Sequence, residues 1–192
     1  MEIKYLGDKT IFLKGKKEAI LVNPDGNLID DNKLGCRTIL YTSEEGRQSD
    51  LLGDKVLING PGEYEIGGVE INGINGEDGN TVYKIVIDGF KVVVMGELKQ
   101  ELSEKRVERI EEADILLTSP KLNGGDGYKF LKGLAKKWGV NYLIPITSDD
   151  ESLKVFSDEA DVEGLEAVES LKLEKVDDLP DGLEVKLLKP FK

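Results

Sequence analysis

The stretch NTVYKIVIDGFKVVVMGEL, residues 80–98, contains two apolar runs, Thr81–Ile87 and Phe90–Met95, separated by Asp88-Gly89. Asp-Gly between β-branched runs is a two-residue hairpin signal, because both residues tolerate the positive φ that such a turn needs. The second run holds Val92, Val93, Val94 and Met95 in succession, which predicts a strand covered on both faces.

Outward from it, the first half reads as strands. Ile3–Leu6, Thr10–Leu13, Ala19–Val22, Thr38–Thr42, Val56–Ile58 and Tyr64–Ile74 are short apolar runs punctuated by Gly and Asp. The second half alternates. Ser103 is placed to cap a helix over Glu104–Glu112, with Leu102 and Val107 as a hydrophobic staple. Ile115–Thr118 reads as a strand. Phe130, Leu131, Leu134, Ala135 and Trp138 recur at helical spacing over Tyr128–Trp138, and Gly139 stops that helix. Tyr142–Ile146 reads as a strand, the region of Leu153–Glu159 as a short helix, and Leu183–Leu188 as a last strand. Strands first, then helices alternating with strands, predicts two sheets with helices outside, in one domain over residues 1–192.

Composition excludes much chemistry. The chain has 192 residues and no histidine, so a Ser-His-Asp triad, a His general base and a His-ligated metal are all absent. The single Cys36 excludes an intrachain disulfide and a thiolate-built zinc site. A net charge of −12 argues against nucleic acid as the main partner, since phosphate binding rests on Lys and Arg. Residues 149–192 carry fourteen Asp or Glu against six Lys. The plain reading is a solvated acidic face, and the alternative is a surface for a protein partner or self-association. No basic leader and no apolar run of about 20 residues is visible, so the expectation is a cytoplasmic protein away from membranes.

Three stretches go beyond periodicity. They are Tyr5-Leu6-Gly7-Asp8 with Ile20–Pro24, then Gly60-Pro61-Gly62-Glu63-Tyr64-Glu65-Ile66-Gly67-Gly68-Val69, then Met95-Gly96-Glu97-Leu98. With Asn80-Thr81-Val82-Tyr83 and Ile144-Pro145-Ile146-Thr147 in order behind them, they resemble the metallo-β-lactamase superfamily, in its branch of small UlaG-like hydrolases. The resemblance runs over nearly the whole chain. It implies a four-layer αββα sandwich of two mixed β-sheets with helices on the outer faces, which agrees with the element order.

The same resemblance places the metal ligands of active relatives, and each position departs from them. Threading T-H-x-H-x-D-H onto Thr42–Gln48 puts Ser43 and Glu45 at the first two His, Arg47 at the Asp and Gln48 at the last His. Glu97 stands at the bridging Asp, with Val94 and Gln100 at the flanking His. Thr147 stands at the final His. Asp8 and Asn23 also depart. Ser, Gln and Thr are poor zinc ligands, Val is none, and a fixed cation at Arg47 repels metal. The reading is a vestigial pocket lined by Asp8, Ser43, Glu45, Arg47, Gln48, Val94, Glu97 and Thr147, with no catalytic residue, no metal and no cofactor.

In that reading Arg47 takes over the positive charge between Glu45 and Glu97, in a degenerate member kept for structure or binding. Solvent-facing loop residues are the plainer account of Glu45 and Arg47. The enzyme alternative is a phosphodiesterase-like hydrolase whose Asp8, Glu45, Asp50 and Glu97 hold Mg²⁺, Mn²⁺ or Ca²⁺ through oxygens. Smaller features read plainly. Gly60-Pro61-Gly62 is a turn, Gly124–Gly127 a loop before a helix, and Tyr64 and Trp138 packing residues. Cys36 beside Arg37 suggests a slightly acidified thiol. Ser43 and Ser119 lack a visible base.

Overall fold

Alternation along the central strand sets the layers. Val92 and Val94 point into one core cluster and Val93 and Met95 into another, and all four are fully buried. The strand predicted to be covered on both faces is therefore covered on both. This is a computed structural model, which describes residues 1–25, 34–44, 54–76, 79–122, 127–162 and 164–190.

The first sheet contains β1 (Glu2–Gly7), β2 (Thr10–Lys14), β3 (Ala19–Val22), β4 (Thr38–Leu40), β5 (Val56–Ile58) and β12 (Leu171–Lys172), in the order β12-β1-β2-β3-β4-β5. The second contains β6 (Gly62–Ile66), β7 (Val69–Asn75), β8 (Thr81–Ile87), β9 (Phe90–Leu98), β10 (Ile115–Leu122), β11 (Tyr142–Pro145) and β13 (Glu184–Val185). Its order is β13-β11-β10-β9-β8-β7-β6. Both sheets are mixed: β3, β4 and β5 run parallel, as do β9, β10, β11 and β13, and the remaining pairs are antiparallel.

The core between the sheets is built from Ile3, Leu13, Ile20 and Val22 on one side and Ile71, Ile85, Val92 and Leu117 on the other. The outer face of the second sheet is closed by α1 (Glu104–Glu108), α2 (Gly127–Trp138) and α3 (Asp150–Glu159), through Val107, Leu131, Leu134, Trp138 and Phe156. Leu102 and Val107 are both buried there, as the staple requires. The Trp138 indole donates to the Val107 carbonyl at 2.9 Å and ties α2 to α1. The outer face of the first sheet carries its own cluster around Phe12, Leu21, Ile39 and Tyr41. This two-sheet sandwich with outer helices is the architecture expected from the sequence.

Several boundaries differ for physical reasons. Tyr64–Ile74 is two strands, because Gly67 and Gly68 both take positive φ, +61° and +83°, and reverse the chain. The helix expected to reach Glu112 ends at Glu108. Beyond it the chain tightens, and Glu111 takes φ +62°. The last strand is only Glu184–Val185, followed by a bridge from Leu188 to Val168, and Leu171–Lys172 forms an edge strand where the sequence analysis placed no element. The Asp88-Gly89 turn forms as predicted, with φ +54° and +87°. The Asp88 carboxylate reaches the opposite sheet, accepting from the Lys16 N–H at 3.0 Å and 3.1 Å.

Candidate functional site

The strands β3, β4, β9, β10 and β11 all end at one edge of the sandwich, and the β1–β2 turn returns to the same edge. Open sheets bind ligands beyond the carboxyl ends of their parallel strands, where loop residues from several elements meet. Here that edge is knitted by a polar chain. Asn23, one residue past β3 and at φ +48°, accepts the Thr42 N–H on its Oδ1 at 2.8 Å. Its Nδ2 donates to Thr42 Oγ1 at 3.0 Å, and its carbonyl accepts from Thr10 Oγ1 at 2.9 Å. The Thr42 carbonyl takes the Thr81 N–H at 2.7 Å, which joins the two sheets.

β9 changes direction as it enters this edge. Leu117 pairs with Val94 but Thr118 pairs with Gly96, so Met95 is an extra residue on the β9 side. Such a bulge re-aims the side chains that follow it. Gly96 takes φ +64° and lies against Thr42 so closely that a Cβ would sit 2.5 Å from Oγ1. Glu97 follows. Its carbonyl accepts from Asn80 Nδ2 at 2.6 Å, and its carboxylate meets the Lys9 ammonium at 2.7 Å. Both side chains are 48% exposed, so the pair lies at the surface and contributes little stability.

A cavity of about 470 Å³ opens beside this pair, lined by Lys9, Thr42, Ser43, Asn80, Glu97 and Lys99 among others. On β10, Lys121 pairs with Asp149 at 2.7 Å. That contact, with the Ser152 hydroxyl, pushes the Asp149 carboxyl down to about 2. The Lys121 ammonium is held above its usual range mainly by the Asp149 hydrogen bond, with the charges of Glu97 and Glu151 adding to it. Thr147 accepts the Asp149 N–H at 3.1 Å. Asp8, exposed at φ +50°, accepts the Tyr5 hydroxyl on its carbonyl at 2.9 Å. Burial first, and the Asp8 charge second, push Tyr5 up to about 12.

The structure thus brings Ser43 and Glu97 to one cavity and sets Asp8 and Thr147 on turns of the same edge. Val94 is fully buried in the core between the sheets, paired with Tyr83 and Leu117. Glu45, Arg47 and Gln48, with Asp50, lie outside the described residues. The cation on Glu97 is Lys9, which the sequence reading passed over. Nothing in a turn lysine 88 positions earlier in the chain announces that contact. The Asn23–Thr42 tie was equally invisible.

Cys36 reverses its expectation: it is buried and its Sγ donates to the Thr38 carbonyl at 3.5 Å, and burial pushes the thiol up rather than down. The Gly60-Pro61-Gly62 segment is a turn, with the Gly60 carbonyl accepting from Tyr64 and Tyr83 hydroxyls. Gly124–Asp126 lies outside the described residues.

The residues present do not fit a dinuclear zinc centre. Such a centre needs imidazole or thiolate donors, and the whole chain has no histidine and one buried cysteine. Among the described residues, no three of His, Cys, Asp and Glu converge as a metal site. The Glu97 carboxylate, at the end of β9, is paired with the Lys9 ammonium.

A sequence model of the family described as "Beta-lactamase superfamily domain" matches residues 2–121. Among solved structures, the chain is similar to a protein of the metallo-beta-lactamase superfamily from Thermotoga maritima. That likeness has a TM-score of 0.76 at 23% identity, covering 98% of each chain. It is also similar to the metallo-beta-lactamase fold protein YhfI from Bacillus subtilis, with a TM-score of 0.61 at 10% identity, covering 98% of this chain and 96% of that one. An isothiocyanate hydrolase from Delia radicum gut bacteria gives 0.62 at 9% identity, covering 90% and 99%. At these identities the likeness speaks for the fold alone. No functionally curated protein matches the chain in sequence.

Proposed function

The chain belongs to the beta-lactamase superfamily domain family, and from that premise we propose that it is a degenerate, non-catalytic member of the UlaG-like branch, without a metal centre, retained as a binding or structural module. The observation that carries this reading is the Lys9–Glu97 pair at 2.7 Å. At the position where the resemblance places a bridging metal ligand, a carboxylate is neutralised by a side chain of the same protein. An ammonium group serves as counter-charge but neither polarises a bound water to hydroxide nor opens a coordination position, the two things a hydrolytic metal supplies. The polar groups around it are similarly engaged: Thr42 with Asn23, and Asn80 with the Glu97 carbonyl.

The test is elemental analysis of protein purified without chelator, joined to thermal melts with and without EDTA and a phosphodiesterase screen with added Mn²⁺. The expected result is sub-stoichiometric metal, no shift in Tm on chelation and no turnover. A bound ion stabilises the folded state by linkage, so its removal lowers Tm. Stoichiometric metal, together with turnover lost in Glu97→Ala, would establish the carboxylate-bound Mg or Mn hydrolase instead.

A further inference from the structure

We propose that the free edge of β6 docks an extended segment of a partner protein by strand addition, a segment in which basic and apolar residues alternate. The proposal gives the binding role above a surface and a partner class, and its test makes no use of metal content, so the two readings fail separately. The two sheets end in four edge strands, and three are short: β12 and β13 have two residues each and β5 has three. Edges that brief offer little to pair with. β6 runs for five residues, Gly62–Ile66. Gly67-Gly68 joins it to β7 as a two-residue turn, so Ile66 and Val69 form a hydrogen-bonded pair. Alternation from there leaves the N–H and C=O groups of Glu63 and Glu65 pointing away from β7. Among the described residues, none takes those groups.

The side chains set the chemistry of what pairs there. Tyr64 and Ile66 pack on the core between the sheets and are only partly buried at its rim, so apolar residues of an added strand would cover them. The exposed Glu63 and Glu65 lie on the opposite face, where with Glu70, Asn72, Lys84 and Lys91 they line a cavity of about 460 Å³. Glu65 stands opposite Glu70 in a non-hydrogen-bonded pair, the arrangement that brings side chains closest and sets like charges against each other. Among the described residues, none forms an ion pair with Glu63, Glu65 or Glu70. The two lysines are engaged beyond α1: Lys84 donates to the Ile110 carbonyl at 2.7 Å, and Lys91 pairs with Glu112. Asn72, opposite Glu63, holds its Oδ1 out of water with no donor. Three carboxylates and an orphan acceptor thus face a place that suits the donor-rich cations of Lys and Arg. A second copy of β6 would bring glutamates against glutamates, which like-charge repulsion opposes.

The experiment titrates the full chain with the synthetic peptide acetyl-Lys-Val-Arg-Val-Lys-Val-amide, followed by calorimetry and by amide hydrogen exchange. Saturable binding is expected, with the Glu63 and Glu65 amides newly protected. A peptide of the same composition ordered Val-Val-Val-Lys-Arg-Lys should bind about tenfold more weakly, because it cannot serve both faces. In an added strand only alternate N–H groups face the sheet, so N-methylating one alternate set should abolish binding and N-methylating the other should not. The double variant Glu63→Gln/Glu65→Gln should weaken binding by about tenfold at low salt. The control Glu166→Gln/Glu169→Gln, which removes two charges from the acidic second half, should leave it unchanged. Urea curves confirm that each variant is folded. No binding, equal binding of the reordered peptide, protection away from β6, or equal weakening in the two double variants would overturn the proposal. A dimer that protects the same amides without peptide would overturn it in favour of a second copy.

Discussion

Replacing Gly96 by Ala should cost about 2–4 kcal/mol. Two contributions can be worked out separately. Gly96 sits at φ +64°, and an L side chain there costs about 1–2 kcal/mol. The new Cβ would then lie 2.5 Å from Thr42 Oγ1 and 2.9 Å from Thr42 Cβ. Thr42 is β-branched and stiff at χ1, so it yields only by moving as a whole. Moving it strains its bonds with Asn23 at 2.8 Å and 3.0 Å, each worth about 1 kcal/mol. In urea the midpoint should fall with m unchanged. In a thermal melt the drop should be roughly 5–15 °C for a chain of this size. The double variant Thr42→Ala/Gly96→Ala, which removes Oγ1, should be less destabilised than the sum of its parts by about 1 kcal/mol. A Gly96→Ala protein as stable as wild type, or strict additivity in the cycle, would refute the packing argument.

Acid titration should expose the Lys121–Asp149 pair. Asp149 is held down from its usual 3.8 to about 2, so its stabilising contribution is full above about pH 4 and is lost as pH falls toward 2. In Lys121→Met the Asp149 carboxyl resonance should titrate nearer its ordinary value, and an unchanged midpoint would contradict the pairing. The Cys36 thiol should resist a thiol reagent in native buffer and react freely in denaturant, because it is buried and its pKa is raised. Fast native labelling would count against that burial. Asp88→Ala should lose about 1–2 kcal/mol through the Lys16 bonds and the positive-φ turn, with Asp88→Asn losing less, both read from urea midpoints.

The sheets were legible because burial leaves a period in the sequence. Val92–Met95 announced a strand covered twice, and Asp88-Gly89 announced its turn. Where two glycines in succession carried the only signal, at Gly67-Gly68, a reversal was read as continuous strand. The candidate site positions came from the resemblance, and their geometry was not legible in the sequence. Val94 aligned with a ligand position yet belongs to the core, because a strand residue's direction follows the local pleat. The bulge at Met95, which decides where Glu97 points, has no composition of its own. Contacts such as Lys9 with Glu97 join residues that only the fold makes neighbours.

The Asp88 contact to Lys16 lies at the end of the sandwich opposite the cavity, since β8 leaves the cavity edge at Thr81 and turns back at Asp88. Glycine and isoleucine reinforce it there, with Gly15 packed against Ile87 too closely for a side chain. The sandwich is therefore pinned at both ends, by Asp88 with Lys16 at one and by Thr42 with Thr81 at the other. The strands between them are held in register from two sides, so a loop that enters the cavity from either sheet starts from a fixed point.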